Sequence, residues 1–366
     1  MMRETYCVSY SENCGDSMSN FGLKIFNQNG PDTMLNSSCT MCCILGICNV
    51  EKTQTGIYVP DGYQYYIHLL DGSGFNLDYA MDTDGTNLWV CGAFDSRSYL
   101  DYNRQVILYN GSHAWGDGGG SGSGYHQLCI VIGYPINTAV NGVGISFEGE
   151  NNYFYINESS LCAPVIYRGE IDINKTTGWQ PSYVNPFLNF ENSIVFVYSE
   201  NPNITIGGGF NHDTWEHILL AYNTEGKRLN YDIKIKAVIF SKTQISNTKS
   251  NYGMRIFNKS GDVVFDSGTG VLINPQLHSF GSVGLRQFVD IPNIRRPMFI
   301  PTSIGGYVDF DNYDGIKKQI GLASTGFSLA PSYINHEYNS WTRAYKGQFI
   351  SDFPIMIIDA ENYFKF

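Results

Sequence analysis

The sequence predicts an all-β protein of two or three β-sandwich-like domains with long loops and little helix. Three observations predict it. Aromatic residues make up 14% of the chain, chiefly 26 Tyr and 22 Phe, against only 16% charged residues, and such rings fit a pleated, half-buried surface. The 39 Gly supply many turns. Strand-length apolar segments bounded by turn residues recur throughout. At 366 residues and 43% hydrophobic content, the chain exceeds one ordinary core and can bury several.

The elements follow from local pattern. Tyr231 to Ala237 alternates apolar and polar residues, the period of a half-buried strand. Ile194 to Tyr198, Gln105 to Tyr109 and Leu128 to Ile132 read as more deeply buried strands. Asp-Gly at 61–62, 71–72 and 84–85, and Asn-Gly at 110–111 and 141–142, are turn or hairpin signals. Trp215, Ile218, Leu219 and Tyr222 fit a helical period, and equally a buried strand.

Charge excludes one class of function. The formal net charge is -11, whereas a nucleic-acid binder needs basic patches that displace counterions. The longest basic clusters are pairs: Lys227-Arg228, Arg295-Arg296 and Lys317-Lys318. No apolar run has the length of a bilayer span, so no membrane insertion is expected. The first 17 residues are polar and carry Glu4, Glu12 and Asp16, unlike a signal peptide. A chain made in the cytoplasm and kept or released from there is expected to hold its nine Cys reduced.

An internal repeat is the most informative feature. Ser19 to Gly30 aligns with Ser250 to Gly261, identical at seven of twelve positions, with Phe21/Tyr252, Leu23/Met254 and Lys24/Arg255 conservative. Phe21, Leu23 and Ile25, like Tyr252, Met254 and Ile256, should share one strand face. Gly22 and Gly253 remove a side chain mid-strand, and Gly30 and Gly261 close a polar turn. Asp262 to Ser267 is the expected return strand of the second copy. Pro31 delays that of the first or moves it to an edge.

These residues resemble a module of tail-associated structural proteins of tailed bacteriophages: Tyr/Phe-Gly-Leu-x-Val/Ile-Phe/Tyr-Asn/Asp-x-x-Gly, then a Phe-Asp-Ser-like strand. Val264-Phe265-Asp266-Ser267 is similar to the latter, and Pro354 to Asp359 is similar to the closing strand of such proteins. The resemblance covers about a fifth of the chain. The module in that family often follows the initiator methionine, which would make Met18 the start and residues 1–17 an extension. The resemblance implies a structural component of a phage virion, synthesised in the host cytoplasm, in the tail tip, baseplate or fibre region. Other phage tail proteins would be its partners. It carries over no catalytic residue.

Other constellations read as architecture. Cys39-x-x-Cys42-Cys43-x4-Cys48 has apolar spacers and fits a core strand better than a zinc site. Asp82-x-Asp84-Gly85-x-Asn87 lacks the further carboxylates of a calcium loop. Gly116 to Gly124 lacks the Gly-Lys-Ser/Thr ending of a phosphate loop and reads as a linker or loop tip. His212, Glu216 and His217 match neither zincin spacing, and no Gly-x-Ser-x-Gly elbow occurs. No catalytic residue, metal site or cofactor is assigned, and the protein is expected not to be an enzyme.

The expected organisation is an N-terminal β domain over 18–115, a Gly-rich connection at 116–124, a middle β domain over 125–245 and a C-terminal β domain over 250–366. Virion tails assemble from repeated copies, so a homo-oligomer is expected. Tyr-rich segments are candidate contacts with a partner or a glycan: Tyr63, Tyr65, Trp115, Tyr125, Tyr333, Tyr338 and Trp341. Alternatives are a tail fibre protein binding a host receptor or glycan and, less favoured, a capsular polysaccharide depolymerase, which would need a pair of carboxylates flanking the scissile bond.

Overall fold

A computed structural model describes residues 22–25, 33–36, 41–49, 54–69, 71–81, 87–115, 128–135, 144–148, 153–157, 163–211, 216–241, 255–257, 263–266, 270–311, 314–339 and 345–366. The expected extension at 1–17, the 82–86 loop, the Gly-rich 116–124 stretch and His212 lie outside them. The fold is nearly all β, arranged as several mainly antiparallel sheets. Among the described residues the helical segments are two 3-10 turns, Pro181–Tyr183 and Ala360–Asn362, and no helix is long and apolar enough to cross a membrane.

A six-stranded sheet lies at the centre, and its residues explain its place. Ser193–Tyr198 is buried at every position. Ile194, Phe196 and Tyr198 enter one core, and Val195 and Val197 the other. Its partner Ile233–Ser241 splits likewise, with Val238 and Phe240 on one side and Ile235, Ala237 and Ile239 on the other. Ile355–Asp359 repeats the division through Met356 and Ile358 against Ile355 and Ile357. A strand apolar on both faces must be covered on both, and each such side chain contributes roughly 1.5–3 kcal/mol by leaving water.

One covering layer is an eleven-stranded sheet, which supplies Ile206, Leu219, Ile304, Ile320, Leu322 and Leu329 to the larger core. The other is a three-stranded sheet in which Leu128–Pro135 lies between Cys43–Asn49 and Tyr63–Leu69. Its Ile130, Ile132 and Tyr66 meet the central sheet, while Cys129, Val131, Ile67 and Leu69 turn to a third, smaller core with Val106 and Leu108. The result is sandwich-like stacking of sheets.

The repeated stretches take the same form. Gly22–Ile25 pairs antiparallel with Thr33–Asn36, and Arg255–Phe257 with Val263–Asp266. The described return strands begin at Thr33 and Val263. Allowing for the repeat's offset, Phe257–Val263 continues the register of Ile25–Thr33, and a bulge between Ile256 and Phe257 shifts the outer pairs by one. Arg255 Nε donates to Asp266 Oδ2 at 2.6 Å across the second ribbon.

Several local expectations meet tertiary structure. The Trp215–Tyr222 ambiguity resolves as a strand, Glu216–Tyr222, paired with Thr205–Asn211. Asp61-Gly62 is a turn, with Gly62 at φ 76°. Asp71-Gly72 and Asn110-Gly111 are not turns: they lie in strands Asp71–Met81 and Gln105–Trp115. Asx-Gly permits a turn but does not demand one, and Asn110 and Gly111 are held opposite Ser96 and Asp95. The remaining two dipeptides lie outside the described residues.

The boundaries expected at 116–124 and 245–250 do not separate the sheets. Among the described residues Leu128–Pro135 pairs with two strands, both of which precede the Gly-rich stretch. The central sheet joins strands of 165–241 to strands of 276–359, and Asp71–Met81 runs parallel to Ser303–Asp311. Composition marks a local loop, whereas pairing follows which faces need cover.

Candidate contact surface

The sequence-nominated residues separate into two places. Tyr63 and Tyr65 lie on the three-stranded sheet, half-buried against the smallest core, with Tyr65 Oη 3.2 Å from Ser98 Oγ. Between these strands and the neighbouring sheet stands Arg104, itself at φ 62°. Its Nε donates to Val59 O at 2.9 Å, and its Nη2 to Pro60 O at 3.1 Å and Tyr63 O at 2.9 Å. The aromatic segment is thereby clamped rather than presented as a loop. Trp115 ends a strand opposite Cys91. Tyr125 and Trp341 lie outside the described residues.

Tyr333 belongs to a developed surface. It sits on Ser328–Asn339 opposite Ile320, at the margin of the larger core. Beyond it the same sheet face changes chemistry. Tyr307 stands opposite Lys318 and Gln348, and Lys318 opposite His336. Asp309 stands opposite Lys346. Tyr338 is placed one step further along, its backbone opposite Ile316.

The side chains interlock. Lys318 Nζ is 4.4 Å from the Tyr333 ring centre, and the Tyr307 and Tyr333 rings are 5.6 Å apart. Tyr307 Oη and Lys346 Nζ both donate to Asp309 Oδ2, each at 2.8 Å. The Lys346 ammonium, then the Tyr307 hydroxyl, hold the Asp309 carboxyl below its ordinary range. Burial lowers the Lys318 ammonium from its usual value, since partial desolvation disfavours charge.

A bulge makes this alignment. Lys318 opposes His336 while Gln319 opposes Ile334, which leaves Asn335 as the extra residue, at φ 48°. The bulge absorbs this extra residue, so that Tyr333 and His336 share a face although three residues apart, while Ile334 is buried on the other. A turn at Asn223–Lys227 presses against this strand. Gly226, at φ 83°, accepts a bond from His336 N at 3.1 Å, and Asn223 Oδ1 accepts from the N–H groups of Glu225 and Lys227, both at 3.0 Å. Sequence singled out Tyr333 by aromatic density. It missed Tyr307, Lys318, Asp309 and Lys346, which only strand pairing assembles.

A groove of about 550 Å³ lies elsewhere, beside the central sheet, with Tyr198, Glu200, Asn201, Tyr231, Lys234 and Lys236 among its lining residues. At its floor Tyr198 Oη donates to Glu200 Oε1 and accepts from Arg296 Nη1, each at 2.8 Å. Burial, then the Glu200 carboxylate, pushes this phenol up to about 12. The Arg296 guanidinium contacts the rings of Phe366 at 4.1 Å and Phe327 at 4.8 Å. Tyr231 is 51% exposed at the wall. This combination of an open ring with carboxylate and ammonium groups can stack on and hydrogen-bond a polar ligand. Among the described residues no group of three or more His, Cys, Asp or Glu is placed to hold a metal ion. Cys42 and Cys43 are buried at the head of a core strand.

Residues 87–342 match the model of a protein family of unknown function, DUF6453. No curated protein and no solved structure matches the chain.

Proposed function

The chain belongs to this DUF6453 family of unknown function, and from its own residues we propose that it is a non-enzymatic structural protein of a tailed bacteriophage particle. In this reading it occupies the tail tip, baseplate or fibre region as a homo-oligomer and acts through contacts with other tail proteins. The observation that carries it is the repeated ribbon. Two stretches alike in sequence, more than 200 residues apart, both pair as short antiparallel hairpins, the form that the resemblance to phage tail modules implies. The aromatic and charged surface around Tyr333 supports the same reading, because rings with few rotamers give contact area at low entropic cost.

The test is peptide mass spectrometry on density-purified particles of a phage that encodes this chain, followed by immunogold labelling. Peptides in intact virions and label at the tail are expected. Particles that lack the chain while its synthesis in the infected cell is detected would sink the proposal.

A second reading, a fibre protein that binds a host receptor or glycan, is favoured by the Tyr231 groove, where an exposed ring stands beside polar groups suited to sugar hydroxyls. Retention of the chain on host surface polysaccharide, lost in Tyr231→Ala, supports it. Release of reducing sugar in the same assay would point instead to a depolymerase.

A further inference from the structure

We propose that Cys48 and Cys129 form a thiol-modification site, at which a low-molecular-weight disulfide converts the two facing thiols into a bond joining strands Cys43–Asn49 and Leu128–Pro135. The site is independent of the reading above. Cys48 and Cys129 are directly opposite partners in the antiparallel ladder. Opposed residues in such a ladder have Cα atoms about 4.5 or 5.5 Å apart, and both separations lie within the span of a disulfide. Both side chains issue on the same face: Cys129 lies within the smallest core, and Cys48 packs against its margin.

Their unequal environments divide the chemistry. Cys48 is half-buried and reachable, whereas Cys129 is buried. The hydrogen bond with Cys129 holds the Cys48 thiol below its ordinary value and, with burial, keeps Cys129 well above its own. Cys48 is therefore the attacking sulfur, since the thiolate is the nucleophile. It loses its proton to solvent and attacks one sulfur of the oxidant, which breaks the oxidant's S–S bond and releases one thiolate. Cys129 then loses its proton and attacks the Cys48 sulfur, expelling the second thiolate. The two cysteines are oxidised by two electrons, and one small disulfide becomes two thiols. The neighbouring thiols are not so arranged. Cys42 faces the other core, where burial drives its thiol far up, and Cys43 Sγ donates to Gly133 O at 3.3 Å.

The experiment uses the full chain, reduced and then incubated with oxidised glutathione, blocked with iodoacetamide and digested without reduction. The expected product is one cross-linked peptide pair containing Cys48 and Cys129, abolished by dithiothreitol. Cys129→Ser is expected to trap glutathione on Cys48, and Cys48→Ser to leave Cys129 unmodified. Recovery of Cys48 and Cys129 without a bond between them, or of either joined to another cysteine, would overturn the proposal. Mapping of the unsubstituted chain decides the matter even where a variant does not fold.

Discussion

Gly226 packs tightly against Tyr333: a Cβ built at Gly226 would lie 3.1 Å from Tyr333 Cβ, on a backbone already at φ 83°. The turn at Asn223–Lys227 can approach the strand because glycine stands there. Gly226→Ala combines an unfavourable left-handed conformation with a contact that one of two backbones must relieve. A loss of about 1–3 kcal/mol is expected in urea denaturation. A midpoint within error of the parent would show that this turn does not dock on Ser328–Asn339.

The contact between Lys318 and Tyr333 uses the ring face and not the hydroxyl. Tyr333→Phe is therefore expected to stay within about 0.5 kcal/mol of the parent, whereas Tyr333→Ala, which removes the ring from the core margin, should cost about 2 kcal/mol. Equal losses in the two variants would mean that the hydroxyl, not the ring, holds this part of the sheet together.

His68 gives a pH dependence. It is fully buried, and among the described residues neither ring nitrogen has a hydrogen-bond partner. Burial therefore pulls its pKa from 6.5 down to about 3. Above the ordinary value both folded and unfolded chains hold it neutral, and it contributes no slope. Between about 6.5 and 3 the unfolded chain takes a proton that the folded chain refuses, so stability falls as pH falls, by up to about 1.4 kcal/mol per pH unit. His68→Leu should flatten the urea midpoint between pH 6.5 and 4 by one proton's worth. It should also raise stability at pH 7 by about 1 kcal/mol, since it removes orphaned polar atoms. An unchanged slope in the variant would refute the assignment.

How much of this was readable beforehand depended on the range of the interaction. The alternation along Tyr231–Ala237 and the unbroken apolar run at Ile194–Tyr198 exposed the strands directly, because strand periodicity is local. The repeat exposed both hairpins for the same reason. Asn110-Gly111 misled because its turn propensity was outweighed by pairing with Ser96 and Asp95. The Tyr333 surface was half-visible: aromatic density marks Tyr333, but Lys318, Tyr307 and Asp309 meet it only through register. Nothing in the local sequence announces that Arg104 will reach three carbonyls or that Arg296 will meet Phe366.

Arg104 isolates the strength of such a clamp. Its own φ of 62° suits glycine, so Arg104→Gly relieves the backbone while deleting the bonds to Val59, Pro60 and Tyr63. A net loss of about 1–2 kcal/mol by thermal or urea denaturation is expected. Arg104→Lys should recover only part of it, because an ammonium cannot reproduce the guanidinium fork. Stabilisation in Arg104→Gly would show that strain outweighs the three hydrogen bonds.

Asn335 is the test of how the Tyr333 surface is made. The ladder pairs His336 with Lys318 and Ile334 with Gln319, and the bulge at Asn335 absorbs one extra residue so that Tyr333 and His336 stay on one face. Deleting Asn335 removes the extra residue and closes the bulge into a regular ladder. Tyr333, Ile334 and His336 then become consecutive, so simple alternation keeps Tyr333 and His336 on one face, still opposite Ile320 and Lys318. No buried residue changes side, and a loss of no more than about 1 kcal/mol is expected for the deletion. Asn335→Gly keeps the extra residue and its positive φ and should stay within about 1 kcal/mol of the parent, while Asn335→Val, β-branched in the left-handed region, should lose about 1–2 kcal/mol. A loss above about 3 kcal/mol in the deletion variant would mean that Asn335 is not the extra residue of this ladder, and that the alignment of Tyr333 with Lys318 is set in another way.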